Sequence, residues 1–120
     1  MRFMLIVNAS LESEAGVMPS AELLGAMGAF NQEMIDAGIL KDAAGLQASS
    51  KGARIHFSDE KRTAVDGPFP LTEDLIAGFW IIDVASKQEA IDWMMRCPNP
   101  HPGHNAKVDI RQFFEMSDFE

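Results

Sequence analysis

The segment Asp66–Phe69, which reads Asp-Gly-Pro-Phe, constrains the fold of this chain more than any other. Pro68 fixes its own φ and disfavours helical backbone at Gly67, while glycine can adopt φ values that other residues avoid. A strand that reaches Asp66 must therefore end and turn there. The turn leaves the Asp66 carboxylate at the rim of the surface against which the strand packs. An apolar run from Leu75 to Val84 follows the turn.

Length and composition predict one domain, residues 1–120, because 47% hydrophobic residues in 120 suffice for a core. A formal charge of −8 argues against nucleic-acid binding and against anionic membrane surfaces, since both draw on clustered Lys and Arg. One cysteine allows no internal disulfide, which suits a reducing compartment. No apolar stretch approaches the roughly 20 residues that a membrane span needs, so we expect no membrane partner and a cytoplasmic location.

The first half of the chain predicts a strand, a helix and two short extended pieces. Residues 2–8 form a continuous apolar run, typical of a buried strand. Ser20 stands where a helix N-cap belongs, and the helix is expected to end near Gly38. Its apolar stripe recurs at helical spacing: Leu23, Met27, Phe30 and Met34. Extended pieces at 39–40 and 46–47 are expected on either side of a turn.

The second half predicts a hairpin, a strand, a helix and a strand. Residues 54–57 and 62–66 read as the two arms of the hairpin around a polar turn. The run 76–84 is apolar on both faces, which is typical of a central strand. A capping box at Ser86 begins a second helix, expected to end near Cys97 because a proline follows. The final strand is marked by its apolar residues, Val108, Ile110 and Phe113.

The order of these elements is that of an α+β, ferredoxin-like split βαβ sandwich. One sheet with two helices on one side leaves its other face uncovered. Trp80, Ile82 or their neighbours would then expose an apolar patch too large for a monomer. Pairing two such faces removes the patch, so the sequence predicts a homodimer.

Asp66-Gly67-Pro68-Phe69 resembles the signature of the DGPF proteins, a branch of the YCII-related family. The likeness covers nearly the whole chain, with matching blocks at 2–6, 45–54, 76–80 and 96–100. One departure is the segment Leu71–Asp74, where the family usually reads Glu-Thr-Lys-Glu. The resemblance implies a bacterial protein of unknown function that forms a dimeric α+β barrel.

Asp66 is the first candidate for a chemical role. A carboxylate at a strand end can act as a general acid or base, or anchor a donor on a ligand. The alternative is structural, with the carboxylate accepting backbone N–H groups of the turn. In the family that the chain resembles, this aspartate is the usual candidate for the acid of the pocket.

His56 and Arg54 are the second candidates, since both fall on one face of the predicted hairpin. If even-numbered residues of the two arms meet, a His56–Asp66 or Arg54–Asp66 pair results. A His–Asp pair is similar to the dyad suggested for the wider YCII-related family, whose histidine lies elsewhere in the chain. The alternatives are a solvent-facing histidine at position 56 and an Arg54 that holds an anionic ligand.

The sequence predicts neither a metal site nor a cofactor. Cys97, His101 and His104 lie within eight residues, but the intervening prolines stiffen the loop and no fourth ligand has a standard spacing. No phosphate-binding glycine loop, dinucleotide fingerprint or nucleophile elbow is present. Acyl transfer, nucleotide hydrolysis and nicotinamide chemistry are therefore disfavoured.

Two functions remain open. In the first, a cleft of the dimer binds an unidentified small molecule and transforms it, with Asp66 as acid or base and Arg54 holding charge. Its apolar walls would be Phe69, Phe79 and Trp80. In the second, the same cleft binds a metabolite without turnover, as a regulatory module. The resemblance adds that DGPF proteins are often associated with alternative sigma factors.

Overall fold

The computed structural model describes residues 1–120 and contains six strands and three α-helices. Two short 3-10 turns, Ser49–Lys51 and Met116–Phe119, complete the regular structure. The helices and strands follow in the order β1 (Arg2–Asn8), α1 (Leu11–Glu14), α2 (Ala21–Asp36), β2 (Leu40–Gly45), β3 (Ala53–Ser58), β4 (Lys61–Asp66), β5 (Ile76–Asp83), α3 (Lys87–Met94) and β6 (Val108–Gln112).

Four strands form one antiparallel sheet in the order β2-β5-β1-β6. The predicted strand at 76–84 is confirmed as a central strand, since β5 lies between β2 and β1. This mixed α+β arrangement is consistent with the predicted ferredoxin-like fold. The longest helix, α2, has 16 residues, and none of the helices combines the length and apolar character that a bilayer crossing requires.

The N-cap serines predicted for α2 and α3 are confirmed. The Ser20 hydroxyl accepts the Leu23 N–H at 3.1 Å, and the Ser86 hydroxyl accepts the Glu89 N–H at 3.1 Å. The capping box predicted at Ser86 is only half formed, because the Glu89 carboxylate accepts the Ala85 N–H at 2.8 Å and not the Ser86 N–H. Helix α1 was not predicted, although Ser10 caps it by accepting the Ser13 N–H. A serine three residues after a capping serine is a weaker signal than the glutamate of a standard capping box, so the sequence around Ser10 does not predict a helix.

The core lies between the main sheet and the helices α2 and α3. Its fully buried members come from both layers: Phe3, Leu5, Met34, Ile82 and Ala90. Trp80 joins them at 6% exposure, packs edge-on against Phe30, and donates its indole N–H to the Asn31 side chain at 2.7 Å. Trp80 and Ile82 therefore face the helices, which leaves their neighbours as the residues predicted for the uncovered face.

Their neighbours Phe79 and Ile81 point to the other face of the sheet, which no helix covers. The register pairs Met4 with Ile81 and Ile6 with Phe79 across β1 and β5. Directly opposed residues share a face, so these four side chains form one apolar surface, called here the open face. The uncovered face is thus apolar at four half-buried residues, two of which are the neighbours of Trp80 and Ile82 that the prediction allowed.

The prediction of two extended pieces at 39–40 and 46–47 around a turn is wrong. A single strand, β2, covers Leu40–Gly45 and pairs with β5. Its Asp and Ala residues have low strand propensity, so here pairing with the neighbouring strand outweighs local preference. A Cβ at Gly78 would lie 2.9 Å from the Ala44 carbonyl oxygen, so the backbones of β2 and β5 approach closely there.

The hairpin of β3 and β4 is a separate two-stranded sheet inserted between β2 and β5. Its polar turn is confirmed, with Asp59 at φ 54°, yet all 12 strand residues are exposed. The molecule measures 46 × 44 × 19 Å and has a radius of gyration of 16.2 Å. A compact domain of this length has a radius of gyration of about 14 Å. The larger value here shows that the hairpin is not folded onto the body of the protein.

Candidate functional site

The Asp-Gly-Pro-Phe turn is anchored by backbone contacts on either side of its proline. Strand β4 ends at Asp66, and the peptide bond between Gly67 and Pro68 is cis. The Gly67 N–H donates to the Gly52 carbonyl at 3.0 Å, and the Phe69 N–H donates to the Ser49 hydroxyl at 2.9 Å. These two bonds hold the turn against the 3-10 turn that precedes β3.

Gly67 is required at this turn because the backbone of Ser49 passes directly beside it. A Cβ at position 67 would lie 1.8 Å from the Ser49 carbonyl oxygen and 2.6 Å from its carbonyl carbon. Both atoms belong to the backbone, so no rotation of a side chain relieves the overlap. The close approach of the Ser49 backbone, and not the freedom of glycine in φ, is therefore the reason why position 67 has no side chain.

Glu14 connects this turn to helix α1. Its carboxylate accepts the Ser49 N–H at 2.8 Å and also the Ser49 hydroxyl. That hydroxyl in turn accepts the Phe69 N–H, so a continuous set of bonds runs from α1 to the turn. The separation of 35 residues between Glu14 and Ser49 left no local signal by which the sequence could have predicted it.

The Asp66 carboxylate is exposed and makes no ion pair in the chain. The turn is held instead by Ser49 and Gly52, so the alternative in which Asp66 caps the turn is wrong. The carboxylate is therefore free to meet a partner from outside the chain.

The predicted His56–Asp66 and Arg54–Asp66 pairs are also wrong, because the hairpin register opposes even-numbered to odd-numbered residues. Arg54 pairs with Val65, and Ala53 pairs with Asp66. The cause is the two-residue turn, which pairs Ser58 with Lys61. Arg54 and His56 thus share one face of the hairpin, while Asp66 points to the other face with Ile55 and Phe57.

Arg54 lies over the ring of Phe69, with its guanidinium carbon 4.0 Å from the ring centroid. It forms no salt bridge, so its N–H groups have no carboxylate partner. A hollow of about 330 Å³ opens beside it, lined by Arg54, Pro70, Thr72, Asp74 and Leu75. Two of these residues, Thr72 and Asp74, belong to the segment in which the chain departs from the pattern it resembles.

The three predicted apolar walls do not meet in one chain. Phe69 contacts Arg54, Phe79 lies on the open face, and Trp80 is buried in the core. Phe79 and Trp80 are adjacent in a strand, so they must point to opposite faces of the sheet. Trp80 is therefore excluded as a ligand contact on the open face.

The histidines near Cys97 point to different partners. The ring of His101 bonds the Asn8 carbonyl at 2.7 Å, and His104 lies 3.4 Å from a Glu12 oxygen. No three His, Cys, Asp or Glu side chains come close enough together to hold a metal ion. The thiol of Cys97 donates to the Pro98 carbonyl at 3.2 Å, beside a smaller hollow of about 160 Å³.

Burial raises the pKa of the Cys97 thiol from 9.0 to about 11, so we expect slow alkylation of the folded protein. The thiolate is the reactive form, and at pH 8 its fraction falls about a hundredfold when the pKa rises by two units. Iodoacetamide labelling followed by mass spectrometry measures the rate, and the same protein unfolded in urea is the control. Equal rates in the two states would show that the thiol is not buried.

Two comparisons place the chain among known proteins. An uncharacterised protein of Rhizobium meliloti (strain 1021) is 32% identical over 76 residues, which is 63% of this chain. The aligned part spans 61% of that relative's own length. The sequence profile of the YCII-related domain matches residues 1–114. The chain therefore belongs to the YCII-related family.

Proposed function

We propose that this protein is a homodimer that binds a small anionic organic molecule in a cleft between its subunits. Two open faces pack together in this arrangement and complete an α+β barrel, which removes Met4, Ile6, Phe79 and Ile81 from water. The hairpins stand at the margin of the barrel and bring Arg54 and Asp66 to the cleft. The Asp-Gly-Pro-Phe turn supports the further proposal that the chain belongs to the DGPF branch, as a cytoplasmic bacterial protein.

The observation that carries this proposal is the unpaired guanidinium of Arg54 beside a hollow. The guanidinium carbon lies 4.0 Å from the centroid of the Phe69 ring, and this contact supports a group that can bind a carboxylate or phosphate through two hydrogen bonds. The volume of about 330 Å³ is within the range of small-molecule sites. Asp74 lines the same hollow, so it favours ligands that carry a hydrogen-bond donor as well as the anionic group.

Asp66 is the proposed acid–base group of the same cleft. It is unpaired in the chain and sits at the end of a rigidly anchored turn, the position that a proton-transfer group needs. Because it points to the hairpin face opposite Arg54, it acts on a ligand only where the partner subunit closes the cleft. His56 has no part in this proposal, since it shares no face with Asp66.

A specific observation favours the second function, a binding or regulatory module. Within the chain, Asp66 has no hydrogen-bonded base, acid or cation beside it, so no catalytic pair is assembled before the subunits meet. A binding module needs only the Arg54 hollow. An alternative sigma factor is the partner that the resemblance to DGPF proteins suggests for such a module.

Replacing Arg54 by glutamine is expected to weaken binding of a small carboxylate about tenfold to a hundredfold, since a charge-assisted hydrogen-bonded pair is lost. The probe is benzoate or the ligand recovered from native protein by mass spectrometry, and the readout is isothermal titration calorimetry. Lys87→Gln is the matched control, because Lys87 is an exposed cation without an ion pair on α3. Equal affinities for wild type and Arg54→Gln would refute the anion site.

Replacing Asp66 by asparagine separates the two functions, because the amide keeps the shape of the side chain and cannot exchange a proton. If the cleft is catalytic, turnover of the recovered ligand falls by about a hundredfold or more while its affinity stays within a few fold. Turnover that survives the change would exclude Asp66 as the acid–base group. A protein that binds the ligand and never converts it is the regulatory module.

A further inference from the structure

The open face is bordered by two residues of opposite charge, which lie at opposite edges of the main sheet. The register opposes four residues in one row from the edge strand β2 to the edge strand β6: Asp42, Ile81, Met4 and Arg111. Since directly opposed residues share a face, all four side chains lie on the open side of the sheet. The row therefore has a carboxylate at one end, a guanidinium at the other, and apolar side chains between them.

Asp42 and Arg111 have no partner of opposite charge within the chain. Both side chains are exposed, and neither forms an ion pair. The Asp42 carboxylate accepts the N–H of the next residue, Ala43, at 2.8 Å. Three strand spacings, about 14 Å, separate the two edges, so Asp42 and Arg111 do not meet in one subunit. Three other charged residues of this face are already paired: Asp109 with Lys107, Arg2 with Glu115, and Asp83 with the N-terminal amine.

Two open faces can pack about a two-fold axis that runs parallel to the strands or perpendicular to them. The parallel axis lays the β2 edge of each subunit over the β6 edge of its partner, and it keeps every residue at the same height along the strands. Asp42 of one subunit then lies opposite the partner's Arg111, and the same pair forms again on the other side of the axis. Packed sheets are about 10 Å apart, a gap that the long arginine side chain and the carboxylate span together.

The perpendicular axis leaves Asp42 without a cation. It lays like edges together, so that β2 meets β2 and β6 meets β6. Asp42 then faces the partner's Asp42 or the partner's Ala44, neither of which carries a positive charge. Arg111 faces the partner's Arg111 or the partner's Asp109, and each Asp109 is already bound to Lys107 of its own chain at 3.4 Å. Charge complementarity therefore favours the parallel axis.

We propose that two copies of this chain pack by their open faces about an axis parallel to the strands, with Asp42 of each subunit paired to Arg111 of the other. The inference rests on the proposed homodimer and specifies its orientation. Both hairpins then stand at the same end of the barrel, because each leaves the sheet after Gly45 and returns at Ile76, at the Asn8 end of β1. The two copies of Arg54 therefore flank one opening of the barrel, whereas the perpendicular axis places them at opposite ends.

Cross-linking in the full-length protein tests this orientation without changing the proposed ion pair. Ala44 and Asp109 lie at the two ends of the next row of the face, which Phe79 and Ile6 complete. Both positions are exposed, so the fold tolerates cysteine there. A chain with Ala44→Cys and Asp109→Cys, in a Cys97→Ala background, is treated with a bismaleimide too short to join the two edges of one sheet. A covalent dimer is expected for this double variant and for neither single variant.

The control combines Ala44→Cys with Met95→Cys, a thiol at an 81% exposed position at the end of α3. A dimer mass by light scattering without cross-linking above this control would overturn the orientation and leave the homodimer standing. Cross-linking of Ala44→Cys alone would show the perpendicular axis and also overturn the orientation. A monomer mass at micromolar concentration would overturn both proposals.

Charge reversal gives an independent measurement of the ion pair. Asp42→Arg and Arg111→Asp are each expected to raise the dimer dissociation constant about tenfold, because the two-fold axis places like charges together twice. A chain that carries both substitutions should regain the wild-type value, since each pair is re-formed with its charges exchanged. Sedimentation velocity over a concentration series measures these constants. An unchanged constant for Asp42→Arg, or a double variant that dimerises no more tightly than the single ones, would contradict the pairing.

Discussion

Replacing Gly67 by alanine is expected to detach the Asp-Gly-Pro-Phe turn from the segment Ser49–Lys51. The added methyl group would overlap the Ser49 carbonyl oxygen, 1.8 Å away, and only a shift of the backbone removes that overlap. We expect a cost of about 3 kcal/mol in the free energy of opening this region, the upper range for overpacking a well-packed site. Amide hydrogen exchange at Gly52 and Phe69 measures it, alongside thermal unfolding of the whole chain.

Gly28→Ala is the matched control, because the same methyl group is added where nothing lies within 4 Å. Gly28 is inside helix α2, so alanine there should stabilise the protein by about 1 kcal/mol. The two substitutions thus have opposite expected signs. Unchanged exchange at Phe69 in Gly67→Ala would show that the turn does not depend on this close approach.

The consequence of Gly67→Ala reaches the proposed ligand site through Phe69. The ring of Phe69 supports the guanidinium of Arg54, and its N–H is bound by the Ser49 hydroxyl. A displaced turn therefore removes the support of Arg54 without changing any charge. Ligand affinity should therefore fall in Gly67→Ala although Arg54 keeps its charge, and such a fall would show that binding depends on the position of the guanidinium as well as on its charge.

The parts of the fold that the sequence predicted well are those with local causes. Ser20 and Ser86 bind N–H groups three residues away, and the stripe that contains Phe30 and Met34 repeats at helical spacing. The central position of β5 followed from apolar residues on both of its faces. In each case the residues that decide the structure are only a few positions apart, so a short segment of sequence is enough to predict it.

The parts of the fold that the sequence failed to predict depend on residues that are distant in the chain. Strand β2 forms because β5 pairs with it, and residues such as Asp42 and Ala43 give no sign of that pairing. The side of β5 that the helices cover decides between Trp80 and Phe79 as the exposed aromatic residue. Tryptophan and phenylalanine differ too little in hydrophobicity for the sequence to predict which of the two faces the helices.

The prediction that Arg54 or His56 pairs with Asp66 failed for a related reason, because it depended on the register of the hairpin. A turn with one residue more or fewer would have placed Arg54 and Asp66 on the same face. The turn has two residues, since Ser58 pairs with Lys61, and Asp59 adopts a positive φ of 54° within it. The sequence named candidate residues along the chain, while the faces on which they lie depended on the register of the hairpin.

Replacing Ile81 by glutamate is expected to dissociate the proposed homodimer. Ile81 lies opposite Met4 at the centre of the open face, where the partner subunit would enclose its side chain. A carboxylate buried there without a partner raises the dimer dissociation constant at least about a hundredfold. Sedimentation velocity over a concentration series measures the change, with circular dichroism to show that the folded monomer persists.

Leu24→Glu is the control for Ile81→Glu, because Leu24 is 57% exposed on helix α2, on the covered side of the sheet. It introduces the same charge and should leave the dimer intact. If Leu24→Glu dissociates the dimer and Ile81→Glu does not, the subunits associate through the helices instead of the open face. Arg54 and Asp66 would then lie outside the interface, and the shared cleft would lose its physical basis, although the fold of each subunit would be unchanged.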